Sequence, residues 1–141
     1  MGGGNGNDQG QGLAVSGSSV YVTGSLSNDL ANTAGALFGG SGTALGTALQ
    51  YGSSTSPNAD ILLAKYTDNG SSAALGWTQI GGGYSFDQGQ AVAVSGSSVY
   101  VTGSFVNNTT DATQARFGGT GTTPGTVVVK GAIYGGGPDV L

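Results

Sequence analysis

An eleven-residue block, Val-Ser-Gly-Ser-Ser-Val-Tyr-Val-Thr-Gly-Ser, occurs twice in this chain. It runs from Val15 to Ser25 and again, letter for letter, from Val94 to Ser104. The offset of 79 residues also carries Asp8 onto Asp87, Phe38 onto Phe117 and Asp60 onto Asp139. Laid over each other without gaps, residues 1–62 and 80–141 agree at 31 of 62 positions. A fixed long period marks supersecondary units that stack, because one unit cannot bury its apolar face alone. The second copy reaches Leu141, the equivalent of Leu62, and has no counterpart of residues 63–79. The expected organisation is a first repeat over 1–80, with a long inserted loop at 28–57, and a second, shorter repeat over 81–141.

Composition decides what such units are made of. Thirty of the 141 residues are glycine, so helix propensity is poor throughout. Short runs of Val, Leu, Ala and Tyr between Gly/Ser/Asn clusters predict an all-β chain. The three cations are Lys65, Arg116 and Lys130, against seven anions, all Asp. No basic patch can form from them to neutralise phosphates, so nucleic acid is excluded as a partner. No apolar run approaches the roughly 20 residues of a membrane span, so membrane insertion is not expected. There is no Cys and no His, which removes thiolate chemistry, imidazole ligands and a His base. The opening Met-Gly-Gly-Gly-Asn-Gly has neither a basic nor an apolar stretch and does not read as a signal peptide.

Alternation places the strands. Residues 10–15 and 20–26 form a hairpin across Ser16-Gly17-Ser18-Ser19, repeated at 90–94 and 99–105. Val20, Val22 and Leu26 point to one face; Tyr21, Thr23 and Ser25 point to the other. Residues 60–67 and 75–80 form two more strands, joined by a turn at Asn69-Gly70. Short β pieces are expected near 36–38 and 48–51, and in copy two near 126–129 and 132–134. Asp139, Val140 and Leu141 begin a third strand of copy two. Four short antiparallel strands joined by tight turns make one propeller blade. The expected fold class is therefore all-β, with a four-stranded propeller-like blade and an incomplete second one.

The residues that carry this pattern also resemble a family. Gly-Gly-Gly, then Asp-Gln-Gly-Gln-Ala-Val-Ala-Val, then Val-Tyr-Val-Thr-Gly-Ser follow in order. Asp-Ile-Leu-Leu-Ala-Lys-Tyr-Thr-Asp-Asn-Gly and Trp-Thr-Gln-Ile-Gly-Gly complete the set. Together they resemble the SBBP family of bacterial β-propeller repeats over about 1–26, 60–83 and 81–105. The long segments 28–57 and 107–136 fall outside the resemblance. It implies propeller blades, an origin in large secreted or surface proteins, and no shared catalytic residues.

Candidate site residues are few. Gly3-Gly4-Asn5-Gly6-Asn7-Asp8 matches the start of a calcium-binding β-roll repeat, which makes Asp8 a candidate ligand. That motif needs an apolar residue two positions after the Asp, and here it is Gly10, so the reading preferred is an Asp8 carboxylate bonded to turn amides. The duplication of the Asp residues argues in the same way against a paired-carboxylate glycosidase. Tyr51, Tyr84 and Tyr134 lie in Gly-rich segments that differ between the copies and are candidates for ligand or interface contacts. The short second copy leaves an edge at Val99, Val101, Phe105, Val140 and Leu141, and open edges recruit other strands. The expected function is a non-enzymatic structural module without cofactor, extracellular or at the cell surface, self-associating into a ring or filament. The alternative is a glycan-binding propeller module.

Overall fold

A computed structural model describes residues 2–4, 6–27, 36–39, 48–50, 58–83, 85–106, 115–119, 127–129 and 138–141. The described residues are all-β and antiparallel. Strands β1 (Gln9–Ser16), β2 (Ser19–Ser27), β5 (Ala59–Asp68) and β6 (Ala73–Gly82) pair in that order. β7 (Gln88–Ser95) and β8 (Ser98–Phe105) repeat the β1–β2 hairpin, and β11 (Asp139–Val140) pairs with β8 as β5 pairs with β2. The register repeats with the sequence: Leu13 faces Val22 in one hairpin and Val92 faces Val101 in the other.

Local chemistry explains the turns. Gly17 and Gly96 both have φ of +58°, and no described non-glycine residue takes a positive φ. A glycine at the first central position of a two-residue hairpin loop is the type II′ arrangement, which matches the twist of the flanking strands. The turn at Asn69-Gly70 differs from expectation. Only Gly70 takes a positive φ, of +83°, and four residues, 69–72, separate the strands. The Asp68 carboxylate organises this loop by accepting the Gly70 amide at 2.8 Å, the Asx geometry that competes with a tighter turn.

The inserted segments are also repeats. β3 (Ala36–Phe38) and β4 (Ala48–Gln50) form a hairpin, and so do β9 (Ala115–Gly119) and β10 (Val127–Val129). Phe38 pairs with Ala48, and 79 residues later Phe117 pairs with Val127. The short β pieces expected near 36–38 and 48–51 within the inserted segment are strands, and they pair with each other as a hairpin. Residues 132–134 lie outside the described residues. β9 joins the sheet of the first repeat, alongside β6, with Gly82 opposite Arg116. The equivalent pairing in copy one is the bridge between Gly3 and Leu37.

The two sheets stack face to face. β1 and β7, each at one edge of its sheet, lie against each other, and β7 also packs on β2 and β5. Close approach needs glycine. A Cβ at Gly12 would meet the Ala91 backbone, and one at Gly89 would collide with the Thr23 hydroxyl. Between the sheets, Ile61 and Phe105 are buried, with Val101, Phe117 and Leu141 packed against them. The Phe105 and Phe117 rings meet edge to face, 5.8 Å apart, a favoured aromatic geometry. A second core, Leu26, Ala36, Phe38 and Ile80, joins the β3 hairpin to the first sheet, with Leu62 and Leu75 against it.

Candidate functional site

Three places could carry a function: the joint between the repeats, a cleft across their ends, and the outer face of the first sheet. The joint is built by two aspartates. Asp87 follows Gly83 in the connection from β6 to β7, and its amide donates to the Ala59 carbonyl at 2.8 Å. Its two carboxylate oxygens accept the amides of Gly83 and Val106, each at 2.6 Å. Asp8 repeats this pattern, accepting the amides of Gly4 at 2.7 Å and Ser27 at 2.9 Å. Both of its oxygens are therefore engaged by the chain's own turns, and among the described residues no cluster of three or more His, Cys, Asp or Glu gathers to hold a metal.

Burial separates the two copies. Asp8 is exposed, whereas Asp87 is 1 % exposed and has buried Asp60 nearby. Gly82 sits between the carboxylates; a methyl group there would collide with both. Burial pushes the Asp87 carboxyl up to about 7, with the Asp60 charge adding to it, against the pull of the two amides. Sequence reasoning paired Asp60 with Asp139 as symmetry mates and missed that Asp60 meets Asp87. The signal present was that both aspartates recur at the 79-residue offset.

The cleft, of about 660 Å³, opens across the ends of both sheets. It is lined by Asn7, Gln9, Ser25, Ser27 and Gln88, with Phe86 exposed at its rim. Amides, hydroxyls and one aromatic face are the groups that bind a sugar ring.

The outer face of the first sheet is apolar. A groove of about 470 Å³ runs along it, lined by Val22, Leu26, Phe38, Leu62, Ala64 and Tyr66. Burial there raises the Tyr66 phenol above its ordinary range. Leu13 and Val15, on the same face, are exposed.

The sequence-derived candidates distribute unevenly. Tyr51, Tyr84 and Tyr134 lie outside the described residues. Of the expected assembly edge, Phe105 is buried between the sheets, while Val101 and Leu141 pack against that core. Val99 is half-buried, and Val140 alone of the five is exposed. Tyr21 is buried against Trp77, ring centroids 6.1 Å apart, with the Lys65 ammonium 5.6 Å from its ring. Among the described residues no helix is long and apolar enough to cross a membrane. Comparison with protein-family models, with curated proteins and with solved structures finds no match.

Proposed function

We propose that the chain is a non-enzymatic structural module whose repeats stack as propeller blades, within a secreted or cell-surface protein. The observation that carries this reading is the stacked pair of sheets, in which hydrogen bonds and turns recur at one offset. The Thr23 hydroxyl donates to the Leu62 carbonyl at 2.8 Å, and the Thr102 hydroxyl to Leu141 at 3.0 Å. Within the six-stranded sheet β1-β2-β5-β6-β9-β10, the first four strands, with β1 against the neighbouring sheet, suit a blade in which strands run outward from an axis, and the β9–β10 hairpin extends it beyond four. The blocks that resemble SBBP repeats fall on β1, β2, β5, β6, β7 and β8, and that resemblance carries the placement outside the cell. Asp60 and Asp87 are occupied by packing and by turn amides, which favours structure over catalysis.

Stability in stacked repeats is a sum of unit and nearest-neighbour terms. Continuing the chain after Leu141 with a second copy of residues 63–141 adds one unit in register. The expected result is a higher melting temperature by at least several degrees, read by circular dichroism. An unchanged or lower value would remove the modular reading.

The amides and hydroxyls beside Phe86 in the cleft favour a second reading, a glycan-binding module. A glycan array probed with the labelled chain tests it. Specific binding that disappears in Phe86→Ala would establish this reading over the structural one; no binding is the result expected.

A further inference from the structure

The two repeats differ in which face is covered, and the difference is complementary. Tyr21 is 7 % exposed and its equivalent Tyr100 is 60 % exposed. Ile61 is 5 % exposed and its equivalent Val140 is 86 % exposed. Thr23 and Thr102 differ in the same sense, as do Ala14 and Ala93. All of these lie on one face of their sheets: in the first repeat that face is covered, Ile61 by the second repeat and Tyr21 by Trp77 of its own sheet, and in the second repeat it is bare. The opposite face shows the reverse. Leu13 and Val15 are exposed, whereas Val92 and Val94 are half-buried. Around the apolar groove, Val22 and Leu62 have as equivalents Val101 and Leu141, which pack against Ile61 inside the chain.

We propose that the groove on the first repeat binds the bare face of the second repeat of another copy of this chain, head to tail. This rests on the stacked-repeat reading and names its partner. The internal contact between the sheets is the template: what Ile61 does for Val101 and Leu141, Val140 of one copy does for Val22 and Leu62 of the next. Apolar area removed from water drives the contact. A contact between two different faces of one molecule is heterologous, so it propagates or closes into a ring rather than stopping at a symmetric dimer. The same register brings the exposed Asp8 turn of one copy to the backbone of Pro138, as the Asp87 amide meets Ala59 internally. One residue loosens the match. Ala91 stands at the position of Gly12, where a Cβ meets the neighbouring strand, so β1 and β7 sit farther apart between chains than within one.

The test is sedimentation of the full chain at micromolar concentrations. The wild type is expected to form oligomers that dissociate on dilution. Val140→Asp and Ala64→Arg each alter only one face and are expected to weaken association at least tenfold. Mixed, the two variants retain one intact face each and are expected to form a 1:1 dimer that grows no further. Ala91→Gly is expected to tighten association. Val140 is exposed, so its variant folds, and it decides the matter even if Ala64→Arg does not fold. A wild type that stays monomeric, or oligomers that persist unchanged in Val140→Asp, would overturn the proposal. The second outcome would point to pairing along a strand edge instead. The chain extended by residues 63–141 stabilises itself internally, so its melting temperature judges the stacked-repeat reading separately.

Discussion

Replacing Asp87 with alanine is expected to destabilise the protein by about 2–4 kcal/mol, while Asp8→Ala, which removes the same pair of amide bonds, is expected to cost about 1 kcal/mol. The two side chains make equivalent contacts: Gly83 and Val106 amides in one case, Gly4 and Ser27 in the other. The difference is what happens once the acceptor is gone. Asp8 is exposed and Gly4 half-buried, so water reaches the place the carboxylate leaves, although Ser27 is buried. Asp87 is almost fully enclosed and Gly83 buried, with Val106 half-buried, so the bonds removed there are lost in a lower-dielectric setting, where an unmade bond is most costly. Urea unfolding of the two variants in parallel checks this. Equal losses would show that the joint between the repeats is wetter than its burial indicates.

Stability is also expected to fall as pH rises from about 5 to about 7. Asp87 is raised from its ordinary 3.8 to about 7 in the folded protein, by burial first and by Asp60 last. Between those values the native state holds a proton that the unfolded chain has released. Unfolding then releases a proton, and the free energy of unfolding declines with pH until Asp87 itself ionises. Stability from this group is fully present below its unfolded value and is lost as pH passes about 7. The expected decline is on the order of a few kcal/mol. The chain has no His, Glu or Cys, so no ordinary side chain titrates in this window. Asp87→Asn removes the titrating group and is expected to flatten the curve. Melting temperatures across pH 4–8 for the wild type and Asp87→Asn make the measurement. A stability that rises through this window would contradict a raised Asp87 in the joint.

The sequence carried a large part of this architecture, for a physical reason. Letter-for-letter duplication over 15–25 and 94–104 reveals alternation twice, and strands β1, β2, β7 and β8 lie within two residues of where alternation places them. The hairpins of 36–38 with 48–50 and 115–119 with 127–129 were harder to see. Each strand is three to five residues long, too short for a period of two to stand out. What the sequence hid entirely was which face of each sheet is covered. Tyr21 and Tyr100 sit in identical eleven-residue blocks, so no local pattern distinguishes the buried ring from the exposed one. That distinction belongs to neighbours farther along the chain: Tyr21 has Lys65 and Trp77 beside it in its own sheet, and Tyr100 has no equivalent of Trp77. The same holds for Asp60 and Asp87, which lie in different repeats and meet only because the sheets stack.

The pairing of β6 with β9 has a consequence for how the molecule comes apart. By sequence β9 and β10 belong to the second repeat; by hydrogen bonding they extend the sheet of the first. Phe117, on β9, meanwhile packs on Phe105 of the second repeat. One short segment is thus tied to both repeats by different forces, backbone bonds on one side and ring contact on the other. Under tension the two repeats do not separate like beads on a string. Drawing the second away strips the terminal β9–β10 hairpin from the sheet of the first, and load applied to either is shared by both.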